Sequence, residues 1–327
     1  MGSVKNIIIN NRGVALIVVI LTVSVIVALT VEFNRSTRDG LYDTANLSDG
    51  IRLYYVAKSG FYGGEALLMA NQNNFDALTQ DWAKTDLLSL QSEGYFRQGS
   101  FQVRITDEAG KIPVNKLITG NAYNEPVRAL LVRLLSLPEF NLSQDRVNVI
   151  VNSLKDWLDP DDEVTGQGAE NAYYRSVDPP YSAKNGFLDC IDDLLMVKGI
   201  TKELYYGTKE TPALKDCLTV FGDGAININT APTTVLRALS QGMTAELAEE
   251  MDKYRRTPGK DLSVVNWFQN VPGMQGKTMD YGVLTIKSNY FTITSTGLFG
   301  NMKETVTGTI RKGQGPGSAE LLSWNVE

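Results

Sequence analysis

From Val14 to Val31 the chain runs eighteen residues without a charge, and nearly every side chain is apolar. As a helix, such a run rises about 27 Å, enough to cross a hydrocarbon core with little tilt. Lys5 and Arg12 are the only charged side chains before it, and the first carboxylate, Glu32, follows it. The positive-inside rule therefore predicts residues 1–12 in the cytoplasm and everything from Glu32 onward outside. Beyond the run, Phe33, Leu41, Ala45, Ile51, Tyr54, Tyr55 and Phe61 recur at loosely helical spacing among Arg35, Arg38, Asp39, Asp43 and Asp49. That spacing predicts that the membrane helix continues as an amphipathic one. Gly60, Gly63 and Gly64 predict a break, with a further helix over Glu65 to Gln72.

Phe101-Gln-Val-Arg-Ile105 then alternates apolar and polar strictly, Asp107-Glu-Ala-Gly110 supplies a turn, and Lys111-Ile-Pro-Val114 reads as the return strand of a hairpin. Comparable strand signals come next at Val283–Ile286, Tyr290–Ser295 and Glu304–Ile310. Between the two groups the pattern is helical. Val127, Leu130, Leu131, Leu134 and Leu135 form one stripe; Ser143 caps a second helix with the stripe Val147, Ile150, Val151, Leu154 and Leu158. Shorter helices are predicted near Leu188 to Val197, Thr234 to Leu239, Ala245 to Arg255 and Val264 to Asn270. Strands at both ends with helices between them predict an α+β head split by an all-α insertion. The boundaries read as a leader over 1–13, a membrane helix over 14–31, the first part of the head over 32–117, the insertion over 118–279, the closing strands over 280–312, and a flexible tail over 313–327 that opens on Gly-Gln-Gly-Pro-Gly-Ser.

At 327 residues, 43% hydrophobic and 21% charged, the chain can bury a core and hold two domains. A net charge of −6 argues against a phosphate-binding surface, so no nucleic-acid partner is expected. Histidine is absent, which excludes Ser-His-Asp and Cys-His chemistry and imidazole zinc sites. Cys190 and Cys217 are too few for a thiolate metal site; in an oxidising compartment they could form one disulfide, or remain two unpaired buried thiols.

Two stretches of the insertion could carry chemistry. In the first, Asp156-Trp-Leu-Asp-Pro-Asp-Asp-Glu163, five carboxylates crowd together with Lys155 as the nearest base. Their repulsion is relieved by a hard dication, and calcium prefers several oxygens on a flexible loop. With Asp159 as position 1, Asp161, Glu163, Thr165 and Glu170 fall at positions 3, 5, 7 and 12, the register of an EF-hand loop. Position 6 is Val164, where an EF-hand has glycine, so the reading is a calcium loop of its own kind, against a solvated acidic turn that merely caps the preceding helix. The second stretch, Ile226 to Met243, resembles a helix-hairpin-helix element with Asn229 or Thr230 as cap and Gln241-Gly242-Met243 as hairpin. Arg237, Lys253, Arg255, Arg256 and Lys260 are offset there by Glu246, Glu249, Glu250 and Asp252. No basic face emerges, which predicts packing architecture instead of nucleic-acid binding.

Arg12-Gly13 directly ahead of the apolar run resembles the class III signal of type IV pilins and pseudopilins. A secretory signal peptide would have a shorter core and a small-residue cleavage site; a plain single-pass anchor is the other reading. The Asp156–Glu163 loop, Gly168-Ala-Glu-Asn-Ala-Tyr-Tyr174, Asp178-Pro-Pro-Tyr181, Val197-Lys-Gly-Ile-Thr201 and Ile226-Asn-Ile-Asn-Thr-Ala-Pro232 follow in order. With the leader, this ordered set resembles the general secretion pathway protein K family, the large minor pseudopilins of type II secretion, from Gly13 to about Arg311.

The resemblance implies a type IV pilin-like α+β head carrying an α-helical insertion, with calcium bound. It implies a non-enzymatic, single-pass protein of the bacterial inner membrane, mostly periplasmic. A prepilin peptidase would cut after Gly13, leaving Val14 as a methylated N-terminus, and the chain would cap the pseudopilus tip with other minor pseudopilins and the major pseudopilin. Most pilin-like chains carry a glutamate where Val18 stands, thought to pair with a neighbouring subunit's N-terminal amine. A tip subunit has no such neighbour above it, so an apolar residue suits that place, as it also suits a simple anchor. Two rival functions share parts of the pattern: a minor pilin of a type IV pilus acting in adhesion or DNA uptake, and a membrane-anchored hydrolase using Asp159 and Glu170 as a carboxylate pair.

Overall fold

The computed structural model describes residues 12–313, 315 and 317–327; what the sequence predicts for residues 1–11, Gln314 and Pro316 lies outside them. One helix, α1 (Arg12–Met69), covers 58 residues without interruption. The break predicted at Gly60, Gly63 and Gly64 does not occur, and close packing explains why. A Cβ on Gly60 would lie 2.2 Å from Ser295 Oγ and 2.8 Å from the Phe101 ring, and one on Gly64 would lie 3.0 Å from Val103 and 3.1 Å from Ile293. These glycines are the flat face on which the helix rests against a sheet.

A short helix, α2 (Asp86–Gln91), precedes β1 (Ser100–Asp107). The insertion then contains β2 (Ile112–Pro113), β3 (Ile118–Thr119), β4 (Ala122–Tyr123), α3 (Glu125–Leu135), α4 (Gln144–Leu158), α5 (Asn171–Tyr174), α6 (Lys202–Tyr206), β5 (Leu218–Thr219), β6 (Ile226–Asn227), α7 (Thr233–Ala238), α8 (Ala245–Arg256) and β7 (Leu284–Thr285). The chain closes with β8 (Tyr290–Phe299), β9 (Met302–Lys312) and β10 (Ala319–Val326).

The main sheet has the order β1-β8-β9-β10 and is antiparallel throughout. The predicted hairpin is therefore corrected. β1 pairs with β8, from Ser100↔Leu298 to Asp107↔Phe291, while Ile112 and Pro113 turn away to run parallel to β5. Asp107 drives the departure: its carboxylate accepts from Ala109 N at 2.8 Å, which closes a short helical turn in place of a two-strand return. The flexible tail is corrected as well. β10 extends the sheet beside β9, and the Trp324 ring meets the Phe61 ring edge-on at 4.9 Å. The open edge of β1 is sealed by hydroxyls: Ser92 Oγ accepts from Phe101 N at 2.9 Å, Ser89 Oγ accepts from Val103 N at 3.1 Å, and Thr85 Oγ1 donates to the Val103 carbonyl.

Buried apolar side chains form two clusters. One joins Val56, Ala57, Phe61 and Leu68 of α1 to Trp82 and to Phe101, Ile105, Phe291, Ile293, Val306 and Ile310 of the sheet. The other runs through the insertion and contains the predicted stripes of α3 and α4. Ser143 caps α4 as predicted, accepting from Arg146 N at 3.4 Å. Between the clusters lies a buried polar seam, in which Asp107 Oδ2 accepts from Asn227 Nδ2 at 2.9 Å, Thr230 Oγ1 at 2.6 Å and Ser288 Oγ at 2.5 Å. Asp76, also buried, accepts from Lys312 Nζ at 2.8 Å and Ser288 N at 2.9 Å.

Contacts along α1 fix the direction of the insertion. Gly297 packs on Leu53 and Ala57, Gly60 on Ser295, and Gly64 on Ile293. The strand ends Asp107 and Phe291, where the insertion leaves and returns, thus lie toward the C-terminal end of α1, away from the apolar run. Cys190 is exposed, Cys217 is buried and both are free, so the possible disulfide is not formed.

Candidate functional site

The last turn of α4 carries Lys155 and Asp156, and Asp159 is its C-cap, with its N–H bonded to the Lys155 carbonyl at 2.9 Å. The following loop doubles back through Gly166, whose φ of +56° suits glycine, so that Gly168 N reaches the Thr165 carbonyl at 2.8 Å. A Cβ on Gly168 would lie 2.0 Å from Asp156 Oδ2, so only glycine lets the loop close over that carboxylate. Glu170 occupies the N-cap position of α5 without a side-chain capping bond, and Tyr174 on that helix packs its ring on Trp157 of α4 at 5.0 Å. The two ends of the loop are pinned together by this contact.

The closure brings one carboxylate oxygen each from Asp156, Asp159 and Glu170 within 4.8 Å of one another, all three residues being buried. Asp156 is satisfied by Thr165 N, at 3.0 and 3.2 Å from its two oxygens. Asp159 Oδ2 accepts from Lys155 Nζ at 2.5 Å. Among the described residues, Asp159 Oδ1 and both oxygens of Glu170, a residue only 2% exposed, are buried without a hydrogen-bond partner. Burial, reinforced by the charges of Asp156, Asp159, Asp162 and Asp161, pushes the Glu170 carboxyl up to about 7. Burial also raises Asp156, with Thr165 opposing and Asp159 adding to the rise. Orphaned buried oxygens on converging carboxylates are costly unless a cation meets them. Oxygen-only donors on a loop suit a hard dication such as calcium.

Of the residues predicted to bind metal, Asp159 and Glu170 meet in this cluster. Asp161 does not: it accepts from Asn121 Nδ2 at 2.6 Å and from Glu163 N at 2.8 Å. Glu163 is exposed, and the Thr165 hydroxyl accepts from Lys155 Nζ at 2.9 Å. Asp156, which sequence reasoning left out of the ligand set, completes the cluster. Its signal was its place three residues before Asp159 at a helix end, which a loop count starting at Asp159 excludes.

The three arginines of the helix-hairpin-helix stretch are engaged within the fold. Arg255, 2% exposed, donates to the carbonyls of Ile228 at 2.8 Å and Ala231 at 2.7 Å and to Asp252 at 2.6 Å. Arg256 also binds Asp252, and Arg237 donates to Glu139. At the other end of the molecule, Val14 to Val31 is exposed along its whole length, and an eighteen-residue window of this helix has mean hydropathy 3.1 with none of it buried. By length and composition it is a candidate membrane span. Gly13, Val14 and Val18 lie on this bare stretch.

A family model described as type II secretion system (T2SS), protein K matches residues 110–210, which hold the acidic cluster. Type II secretion system protein K of Aeromonas hydrophila is 28% identical over 208 residues, 59% of this chain. The Pectobacterium carotovorum protein of the same name is 26% identical over 296 residues, 86% of each chain. The chain spans 60% of the length of the Aeromonas relative and of the putative protein K of Escherichia coli K12. Among solved structures, a chain in the crystal structure of the GspK-GspI-GspJ complex from enterotoxigenic Escherichia coli superposes with a TM-score of 0.69 at 22% identity, covering 87% of this chain and 99% of that one. That likeness fixes the fold as a pilin-like α+β head with additional helices.

Proposed function

We propose, for a chain that belongs to the type II secretion system protein K family, the work of a minor pseudopilin that caps the tip of the periplasmic pseudopilus and starts its assembly. The observation that carries this reading is the course of α1. Its first part is bare apolar helix, its last part is the spine of the head, and the insertion leaves the sheet at the end away from the apolar run. A subunit stacked above would meet the insertion; subunits added below would meet exposed helix. Assembly uses helix packing within lipid and just above it, where small residues allow close approach. Gly40 and Gly50 lie in that exposed stretch with open space around them.

Processing after Gly13 by a prepilin peptidase and methylation of Val14 belong to this reading, as does residence in the inner membrane with the bulk of the chain in the periplasm. The solved Escherichia coli chain was crystallised with GspI and GspJ. We infer that counterparts of those two minor pseudopilins are the neighbours here, with the major pseudopilin below. The role is structural and needs no catalysis. Asp156, Asp159 and Glu170 would hold calcium, which would neutralise their mutual repulsion and clamp the loop onto α4. The chain itself contributes Gly168 to let the loop close and Thr165 N to orient Asp156.

Mass spectrometry of the full chain from hosts with and without the prepilin peptidase tests the reading. A mature N-terminus at Val14, seen only with the peptidase, is expected, together with co-purification of the two partner pseudopilins. An intact leader in both hosts and no recovered partner would refute it.

A further inference from the structure

Lys155 stands beside the acidic cluster and has no part in the calcium reading, on which the following inference rests. Its side chain is 12% exposed, and its ammonium donates to Asp159 Oδ2 at 2.5 Å and to Thr165 Oγ1 at 2.9 Å. The Tyr123 ring lies 5.9 Å from the same nitrogen. The second ammonium near the loop, Lys198 Nζ, donates to the carbonyls of Gln167 and Gly168, at 3.2 and 2.9 Å, and so binds backbone. Among the described residues, Lys155 alone reaches a carboxylate of the cluster. Its reach stops at one face: Asp159 Oδ1 and both Glu170 oxygens stay unpartnered.

We propose that Lys155 is a built-in counter-ion that sets the calcium affinity of the loop. With all three carboxylates ionised, as a bound dication requires, one ammonium against them leaves a formal charge of −2. One dication balances that charge. Without the lysine the cluster would carry the full repulsion of three buried carboxylates, and the loop would open when no metal is bound. With it, the loop keeps its shape in the absence of metal, and the site stays formed for binding. The same ammonium repels an incoming dication across the shared Asp159 carboxylate, and this repulsion outweighs what the preformed loop gains for binding. Lys155 is thus a positioning residue for the site and a brake on its affinity.

The test uses the full chain in detergent, stripped of metal with EDTA, and compares wild type with Lys155→Met and Lys155→Gln. Calcium chloride is titrated calorimetrically, and thermal unfolding is followed in EDTA and in calcium. Both variants should bind calcium about tenfold more tightly than wild type, and melt several degrees lower in EDTA. The rise in Tm on adding calcium should therefore be wider than in wild type. Should Lys155→Met be unfolded in EDTA, refolding on calcium addition is expected, and failure to refold overturns the proposal. Binding no tighter than wild type overturns it too, while leaving the calcium reading intact. An unchanged Tm in EDTA likewise overturns the counter-ion role. Absence of calcium binding in wild type and both variants overturns the calcium reading and this proposal together.

Discussion

Gly297 sits where β8 crosses α1, and a Cβ there would lie 2.7 Å from the Leu53 carbonyl oxygen. That oxygen belongs to a helix backbone and cannot step aside, so Gly297→Ala should cost about 1–3 kcal/mol. Gly50 faces open space within the same helix. Gly50→Ala should leave Tm unchanged or raise it, because alanine is the better helix former by up to about 1 kcal/mol; equal losses in the two melts would refute the close-approach reading of α1. Glu170 offers a test of sign. Its carboxyl sits at about 7 in the folded chain against an ordinary 4.5. Between those values the folded chain holds a proton that the unfolded chain has lost, so stability falls as pH rises through the window. In EDTA the loss from pH 5 to 8 should be on the order of 2 kcal/mol, and Asp107, raised to about 6 by burial, adds to it over the lower half. Glu170→Gln should flatten that slope in EDTA yet melt below wild type in calcium. A slope identical to wild type in urea titrations across pH would remove Glu170 from the account. The crowding of carboxylates between Asp156 and Glu163 was legible in the sequence. Which of them turn inward was not, because that depends on the path of the loop, in which Asp161 is held outward by Asn121 from another part of the insertion.

At the scale of elements, β10 is the clearest departure from the sequence pattern. Its pairing with β9 shifts register between Leu321 and Ser323, and the bulge breaks the strict alternation by which a strand is read. Trp324 nevertheless returns to the Phe61 ring. Trp324→Ala should therefore cost about 1–2 kcal/mol in chemical denaturation, where a frayed tail would give no change. The helices fared differently. The stripes of α3 and α4 repeat every three or four residues and their burial follows directly, since a helix makes its hydrogen bonds within itself. Strands lack that independence. The alternation of Phe101 to Ile105 identified β1, but its partner stands on the far side of the insertion, so local spacing pointed to Lys111–Val114 instead. Glycine misled in the same way: Gly60 and Gly64 read as a break when considered alone, and as a contact face once the sheet is present.

For the molecule as a whole, one apolar cluster holds the head, the other holds the insertion, and the bare helix is a candidate membrane span. The polar seam at Asp107, Asp76, Asn227 and Ser288 ties the insertion to the sheet through buried bonds that only a fixed arrangement can satisfy together. A fixed insertion at the far end of the sheet is what a capping subunit requires, and Val18 bears on the same question from the opposite end. Were this subunit inside the filament shaft, a glutamate at position 18 could pair with the amine of the subunit above and would be tolerated or favoured. At the tip no amine lies above, and a carboxylate in the hydrocarbon costs a few kcal/mol or more. Val18→Glu should therefore reduce recovery of the partner pseudopilins from membranes and the number of pseudopili per cell, whereas Val18→Leu should change neither. Counting pseudopili by electron microscopy alongside quantitative co-purification distinguishes the outcomes. Equal or greater assembly with Val18→Glu would place the subunit in the shaft and remove the tip from its proposed role.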